Sequence, residues 1–132
     1  MKIVADTNLL VRAFVADDQR QSELAISTME IAEAVVISNP TLCEFVWVMR
    51  SRYKMSKADV SDSIRTFLAA AGTLRDIDAV NAGLTMLEQG GDFADGVIAY
   101  EGRRQGGETF FSFDRKAALL LERQGYKTQL LT

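Results

Sequence analysis

With 132 residues, 48% of them hydrophobic and 25% charged, the chain has the composition of a single soluble globular domain, residues 1–132, with a real core and no room for a second. It has no histidine and one cysteine, Cys43, which excludes serine–histidine and cysteine–histidine triads, imidazole or cysteine zinc sites, and an intramolecular disulfide. A net charge of −3 argues against a protein that coats nucleic acid in general, but it does not exclude a nuclease, because metal-binding carboxylates contribute negative charge of their own.

No apolar stretch approaches the roughly 20 residues that span a bilayer, so no membrane segment is expected. The N-terminus also lacks the basic region and continuous apolar run of a secretory signal, and the expected location is the cytoplasm.

Taken in order, Lys2-Ile3-Val4-Ala5 is a short β-type run that stops at Asp6. Thr7 and Asn8 then precede Leu9, Leu10, Val11, Ala13 and Phe14. This pattern predicts a buried central strand turning directly into a helix, with Thr7 or Asn8 as its cap. After Asp17-Asp18, a helix is expected from Gln19 to Ala34, followed by a strand at Val35-Val36-Ile37-Ser38. Asn39-Pro40-Thr41 opens the next helix, with Asn39 as cap and Pro40 at the first helical position.

Leu42 to Tyr53 is the most apolar helix, and Cys43 reads as packed interior within it. Its run from Phe45 to Met49 suits either the protein's own core or a groove for a partner segment. Ser56-Lys57-Ala58-Asp59 is a capping box that starts a helix to about Gly72. A weak strand at Thr73–Ile77 precedes a helix capped by Asp78 and ending near Gly90-Gly91. Asp92-Phe93-Ala94-Asp95 begins the next helix, and Gly106-Gly107 ends it. Thr109 to Phe113 is the strongest later strand, stopping at Asp114; a helix over Arg115–Gln124 and a last strand near Thr128–Leu131 complete the chain.

Short β runs alternating with longer helices predict an α/β fold of three layers, helices on both faces of a central, mainly parallel sheet of about four to five short strands. The carboxyl ends of its strands would then share one edge, where ligands bind.

Four acidic residues occupy positions where burial should disfavour them: Asp6 and Asp114 after β runs, Glu44 inside the apolar helix, and Asp95 ahead of Gly96-Val97-Ile98-Ala99. Ionised carboxylates that converge need pairing or a cation. Oxygen-only ligation selects Mg²⁺ or Mn²⁺ over zinc. Simpler roles are open to each. Asp6 and Asp114 fit helix caps, Asp92 and Asp95 complement a helix dipole, and Glu44 fits a narrow polar stripe facing solvent.

The segments Val4-Ala5-Asp6-Thr7-Asn8, Pro40-Thr41-Leu42-Cys43-Glu44, Asp92-Phe93-Ala94-Asp95 and Ser112-Phe113-Asp114-Arg115-Lys116 together resemble the PIN-domain family, and within it the VapC-type ribonuclease toxins of toxin–antitoxin pairs. The resemblance runs over essentially the whole chain. It implies a Mg²⁺-dependent endoribonuclease, with Mn²⁺ as a substitute, in which Asp6, Glu44, Asp95 and Asp114 form the acidic quartet that holds the metal. It also implies an RNA substrate, a cognate antitoxin and a homodimer.

Asp92 is an accessory candidate one helical turn before Asp95, and Thr7, Asn8 and Ser112 are polar neighbours suited to orienting ligands. Arg115 and Lys116, beside Asp114, and Arg12 are candidate RNA contacts. Gly96 departs from the family pattern, where alanine or a similar small residue is common, and is expected to loosen its helix slightly without touching the chemistry.

Other readings fit less well. A receiver-type phosphoacceptor domain needs an acidic pair after its first strand, but Ala5 and Thr7 flank Asp6. A haloacid-dehalogenase-like phosphatase needs Asp where Asn8 stands. A PIN-like interaction module that no longer cuts is disfavoured by the intact quartet.

Overall fold

The computed structural model describes Met1–Thr132 and divides into two compact units, Met1–Asp76 and Ile77–Thr132. The expected α/β organisation holds: five short strands, every pair parallel, alternate with seven helices. The pairing falls into two ladders, a three-stranded one in the first unit and a two-stranded one in the second.

The first unit contains β1 (Lys2–Val4), α1 (Thr7–Phe14), α2 (Gln19–Ile31), β2 (Ala34–Val36), α3 (Asn39–Ser51), α4 (Lys57–Ala69) and β3 (Thr73–Leu74). Its ladder runs in the order β1-β2-β3, with Ile3 opposite Val35 and Val36 opposite Leu74. Within this ladder the first strand stands at one end, and Val4 is 75% exposed, against the burial its composition suggested. Burial falls instead on the helices. Leu10, Leu42, Phe45, Met49, Val60 and Ile64 are fully buried, each contributing about 1.5–3 kcal/mol of transfer free energy. The rings of Phe14, Phe45 and Phe67 meet at 5.5 to 6.3 Å between centroids, two of the contacts edge-on, and tie α1, α3 and α4 together.

Helix starts follow side-chain chemistry closely. Ser56 accepts from the Asp59 amide at 3.1 Å, as the capping box predicts. The cap of α3 is Ser38, which accepts from the Thr41 amide, one residue earlier than expected; Asn39 and Pro40 are already helical. Pro40 fits there because an amide in the first turn has no intrahelical acceptor to lose.

The second unit contains α5 (Ile77–Glu88), α6 (Phe93–Arg104), β4 (Thr109–Ser112), α7 (Arg115–Arg123) and β5 (Lys127–Leu130). Asp78 lies inside the first turn of α5 instead of capping it. Its core gathers Met86, Ala99, Leu120 and Leu121, with Phe110 and Tyr126 packed against them. Gly90, at φ +93°, closes α5: its amide and that of Gly91 return to the carbonyls of Leu87 and Met86 at 3.1 and 2.8 Å. That tight reversal launches α6. No helix in the chain is long and apolar enough to cross a membrane.

Candidate metal centre

The same local design occurs once in each unit. A strand ends, one residue intervenes, and an aspartate caps the helix that follows. After β1, Asp6 Oδ1 accepts from the Leu9 amide at 2.8 Å. After β4, Asp114 Oδ1 accepts from the Ala117 amide at 3.1 Å. Asp6 itself, not Thr7 or Asn8, is the cap of α1. Capping and ligation are compatible here, because the amide engages one carboxylate oxygen and leaves Oδ2 for another partner. The helix N-terminus also stabilises the carboxylate's charge.

In the first unit, Asp6, Thr7 and Asn8 line a cavity of about 290 Å³ together with Pro40, Thr41 and Glu44. Two of the four predicted acidic residues thus share one polar recess. Glu44 and Asp6 are exposed, contrary to the burial expected for them. The reason for Glu44 is the face it occupies: with Trp47 and Arg50 it forms the solvent stripe of α3 at threefold spacing, while Leu42, Phe45, Val46 and Met49 fill the core. Trp47 is 66% exposed, so the core reading of the Phe45–Met49 run fails for that one side chain.

In the second unit, carboxylate oxygens of Asp92, Asp95 and Asp114 all lie within 4.8 Å of one another. Asp92 holds the N-cap position of α6 but makes no side-chain capping bond, so both its oxygens are uncommitted. Asp95, one turn later, is half-buried; Asp92 and Asp114 are exposed. Burial pushes the Asp95 carboxyl above its ordinary 3.8, and the charges of Asp92 and then Asp114 push it further. Ser112 steadies the third member, its hydroxyl accepting from the Asp114 amide at 2.9 Å.

Such a set fits a hard divalent cation. It offers oxygen donors alone, close enough to share one ion, with mutual repulsion that positive charge relieves. Asp92, treated in the sequence as accessory, is a full member of the trio.

The basic candidates differ. Arg115 and Lys116 are exposed in the first turn of α7, directly after Asp114. Arg12 is engaged locally, donating to Asp17 Oδ1 at 2.9 Å and to the Tyr53 hydroxyl at 2.8 Å, while that hydroxyl donates to Asp17 Oδ2 at 3.3 Å.

The glycine next to Asp95 carries more than its sequence suggested. A Cβ on Gly96 would run into the Ala82 carbonyl oxygen, with that carbonyl's carbon and Met86 Cγ both 2.9 Å away. It marks a close approach of α5 and α6, and not a loosened helix. Only the partner helix reveals this.

The PIN domain family model matches residues 3–120, which takes in every residue of both carboxylate groups. The chain belongs to the PIN domain family. Among solved structures, the Mycobacterium tuberculosis toxin VapC20, described as a Sarcin-Ricin loop cleaving toxin, is similar over 96% of both chains, at 17% identity and a TM-score of 0.44. No curated protein matches the chain at a significant level. The PIN match ends at Leu120, so β5 lies beyond it.

Proposed function

We propose that residues 1–132 act as a single PIN domain, a divalent-cation-dependent endoribonuclease that hydrolyses RNA phosphodiester bonds. The observation that carries this reading is the trio Asp92, Asp95 and Asp114, closely spaced and oxygen-only, in a chain of this family. Asp6, Glu44, Asp95 and Asp114 are the acidic residues the motif resemblance assigns to catalysis, and Asp92 joins them.

Asp95 and Asp114, with Asp92, would hold Mg²⁺ or Mn²⁺, and the family pattern adds Asp6 and Glu44 to the same reaction. When bound, the cation supplies Lewis acidity toward water and the scissile phosphate. The chain's own residues fix direction and charge. The amides of Leu9 and Ala117 hold one oxygen each of Asp6 and Asp114, so neither carboxylate rotates freely. Ser112 fixes the backbone of Asp114. Thr7 and Asn8 line the Asp6–Glu44 recess as polar neighbours. Arg115 and Lys116, adjacent in sequence to Asp114, neutralise RNA phosphates.

The motif resemblance further assigns the chain to the VapC-type toxins, acting in the cytoplasm with a cognate antitoxin and as a homodimer. Trp47, exposed on α3, supports a protein partner on that face. The deciding experiment replaces Asp95 with Asn and follows cleavage of RNA in Mg²⁺ and in EDTA. Loss of cleavage in the variant and in chelator is expected. Cleavage that survives both conditions refutes the metal mechanism.

A further inference from the structure

The geometry points to Gly96 as a positioning residue for the metal centre: its missing side chain sets how closely α6 lies on α5, and so where Asp92 and Asp95 stand relative to Asp114. The inference rests on the reading that the trio binds a divalent cation, and concerns how this chain holds the trio together.

Each ligand-bearing residue of α6 is followed by an anchor. Asp92 precedes Phe93, which is fully buried. The ring of Phe93 sits over Gly83 on α5, where a Cβ would lie 2.6 to 2.7 Å from three ring carbons. Asp95 precedes Gly96, which meets the Ala82 carbonyl and Met86. A flexible side chain could rotate away from an added methyl group. The Ala82 carbonyl cannot, because it belongs to the hydrogen-bonded ladder of α5.

Gly91, in the turn between the helices, is crowded more softly: Leu120 Cδ1 and Met86 Cε, both ends of flexible side chains, lie 2.9 Å from the position of a Cβ, and the Met86 carbonyl oxygen lies at 3.2 Å. Of the three glycines, Gly96 is the one whose Cβ position meets backbone at under 3 Å, and it sets the depth of the first turn of α6. Two of the three carboxylates stand on or beside that turn, and the third caps α7. The oxygens of all three fall within 4.8 Å. Making room for one methyl group at Gly96 displaces α6 by a distance that is a sizeable fraction of that spacing.

Gly102 provides the control. It lies on the same helix with nothing within 4 Å of its Cβ position, so alanine is accepted there. Were Gly96 merely a packing residue, alanine would cost stability and leave ion binding alone.

The test measures Mn²⁺ binding by titration calorimetry and by electron paramagnetic resonance, with circular dichroism of the metal-free protein. The 132-residue chain and the variants Gly96→Ala, Gly83→Ala, Gly102→Ala and Val80→Ala are compared. Val80→Ala removes buried volume from α5 without adding a group at the contact with α6. Gly96→Ala is expected to weaken Mn²⁺ binding by about ten-fold or more, the scale on which supporting residues affect metal affinity. Gly102→Ala and Val80→Ala should bind Mn²⁺ as the parent does.

If Gly96→Ala fails to fold, Gly83→Ala carries the test: its clash is with the fully buried ring of Phe93, next to Asp92, alanine favours the helix, and Mn²⁺ binding is expected to weaken in the same direction. A folded Gly96→Ala with parental Mn²⁺ affinity, or a folded Gly83→Ala with parental affinity where Gly96→Ala does not fold, overturns the positioning role and leaves the nuclease reading standing. Absence of Mn²⁺ binding in the parent chain overturns the metal reading, and the positioning role with it.

Discussion

Replacing Asp95 with Asn removes the one carboxylate of the trio that burial and both neighbours disfavour. Two unit charges within 4.8 Å repel by about 1 kcal/mol even in a water-like medium, and Asp95 faces two such charges besides its partial burial. The N-terminus of α6 offsets part of this, since a negative charge in the first turn recovers roughly 0.3–1 kcal/mol. Repulsion and desolvation win, consistent with the upward direction of the shift. The metal-free Asn variant should therefore be more stable than the parent at neutral pH, by about 1 kcal/mol or roughly 3–5 °C in Tm for a domain of this size.

The pH dependence follows from the sign of that shift. A carboxyl whose folded-state pKa is raised binds its proton more tightly in the folded chain, so it costs stability as pH rises above its unfolded-state pKa, and the full cost is reached once it is ionised in both states. The advantage of the Asn variant should be small at acidic pH and grow as pH rises from the ordinary value of 3.8 through the raised folded-state value. Mg²⁺ reverses the order, because it binds the parent's trio and stabilises it by mass action. Thermal unfolding at low ionic strength, across pH, in EDTA and in Mg²⁺, checks all of these outcomes. An Asn variant that is less stable than the parent in EDTA at neutral pH would falsify the repulsion argument.

Other substitutions separate roles that one residue combines. Asp6→Asn retains the capping oxygen and should leave urea stability within about 0.5 kcal/mol of the parent, whereas Asp6→Ala should lose about 1 kcal/mol; RNA cleavage should collapse in both, and an active Asn variant would reduce Asp6 to a cap. Ser112→Ala strips the acceptor from the Asp114 amide and should weaken Mn²⁺ binding about ten-fold, an effect that calorimetry resolves and that parental affinity would contradict. Arg12→Ala breaks the bridge to Asp17 and Tyr53 and should cost about 1 kcal/mol of stability. The salt dependence of its RNA binding should match the parent's, and a shallower salt slope would return Arg12 to the list of phosphate contacts.

What the sequence made legible was the local grammar of strand, cap and helix. The β runs before Asp6 and Asp114, the Ser56 box and the glycine stops at Gly90 and Gly106 lie where short-range chemistry puts them. The misreadings concern long-range placement. Val4 looked like core because its residue type is apolar, but β1 is an edge strand of its ladder. Glu44 looked buried because its neighbours are, but the helical period turns it outward with Trp47. Gly96 looked like a weak point in a helix because the carbonyl it makes room for belongs to Ala82, on another helix. Periodicity reports what a residue does to its own element, and says nothing of which neighbour approaches it.

The largest gain over the sequence lies in the relation between capping and ligation. As sequence features they compete for Asp6 and Asp114, since either role explains an aspartate between a strand and a helix. With atoms in place the two roles are compatible. An amide on Oδ1 uses one oxygen, restrains the carboxylate and leaves Oδ2 open to a second partner. Asp92 and Asp95 complete the arrangement by the opposite means. Neither carboxylate is tied to an amide at the start of α6, and that helix is instead held from behind, by glycines that let its backbone approach α5. The trio thus combines one carboxylate fixed by its own helix terminus with two fixed by the packing of theirs. The first kind of support tolerates an amide side chain in place of the acid, and the second tolerates almost no added volume.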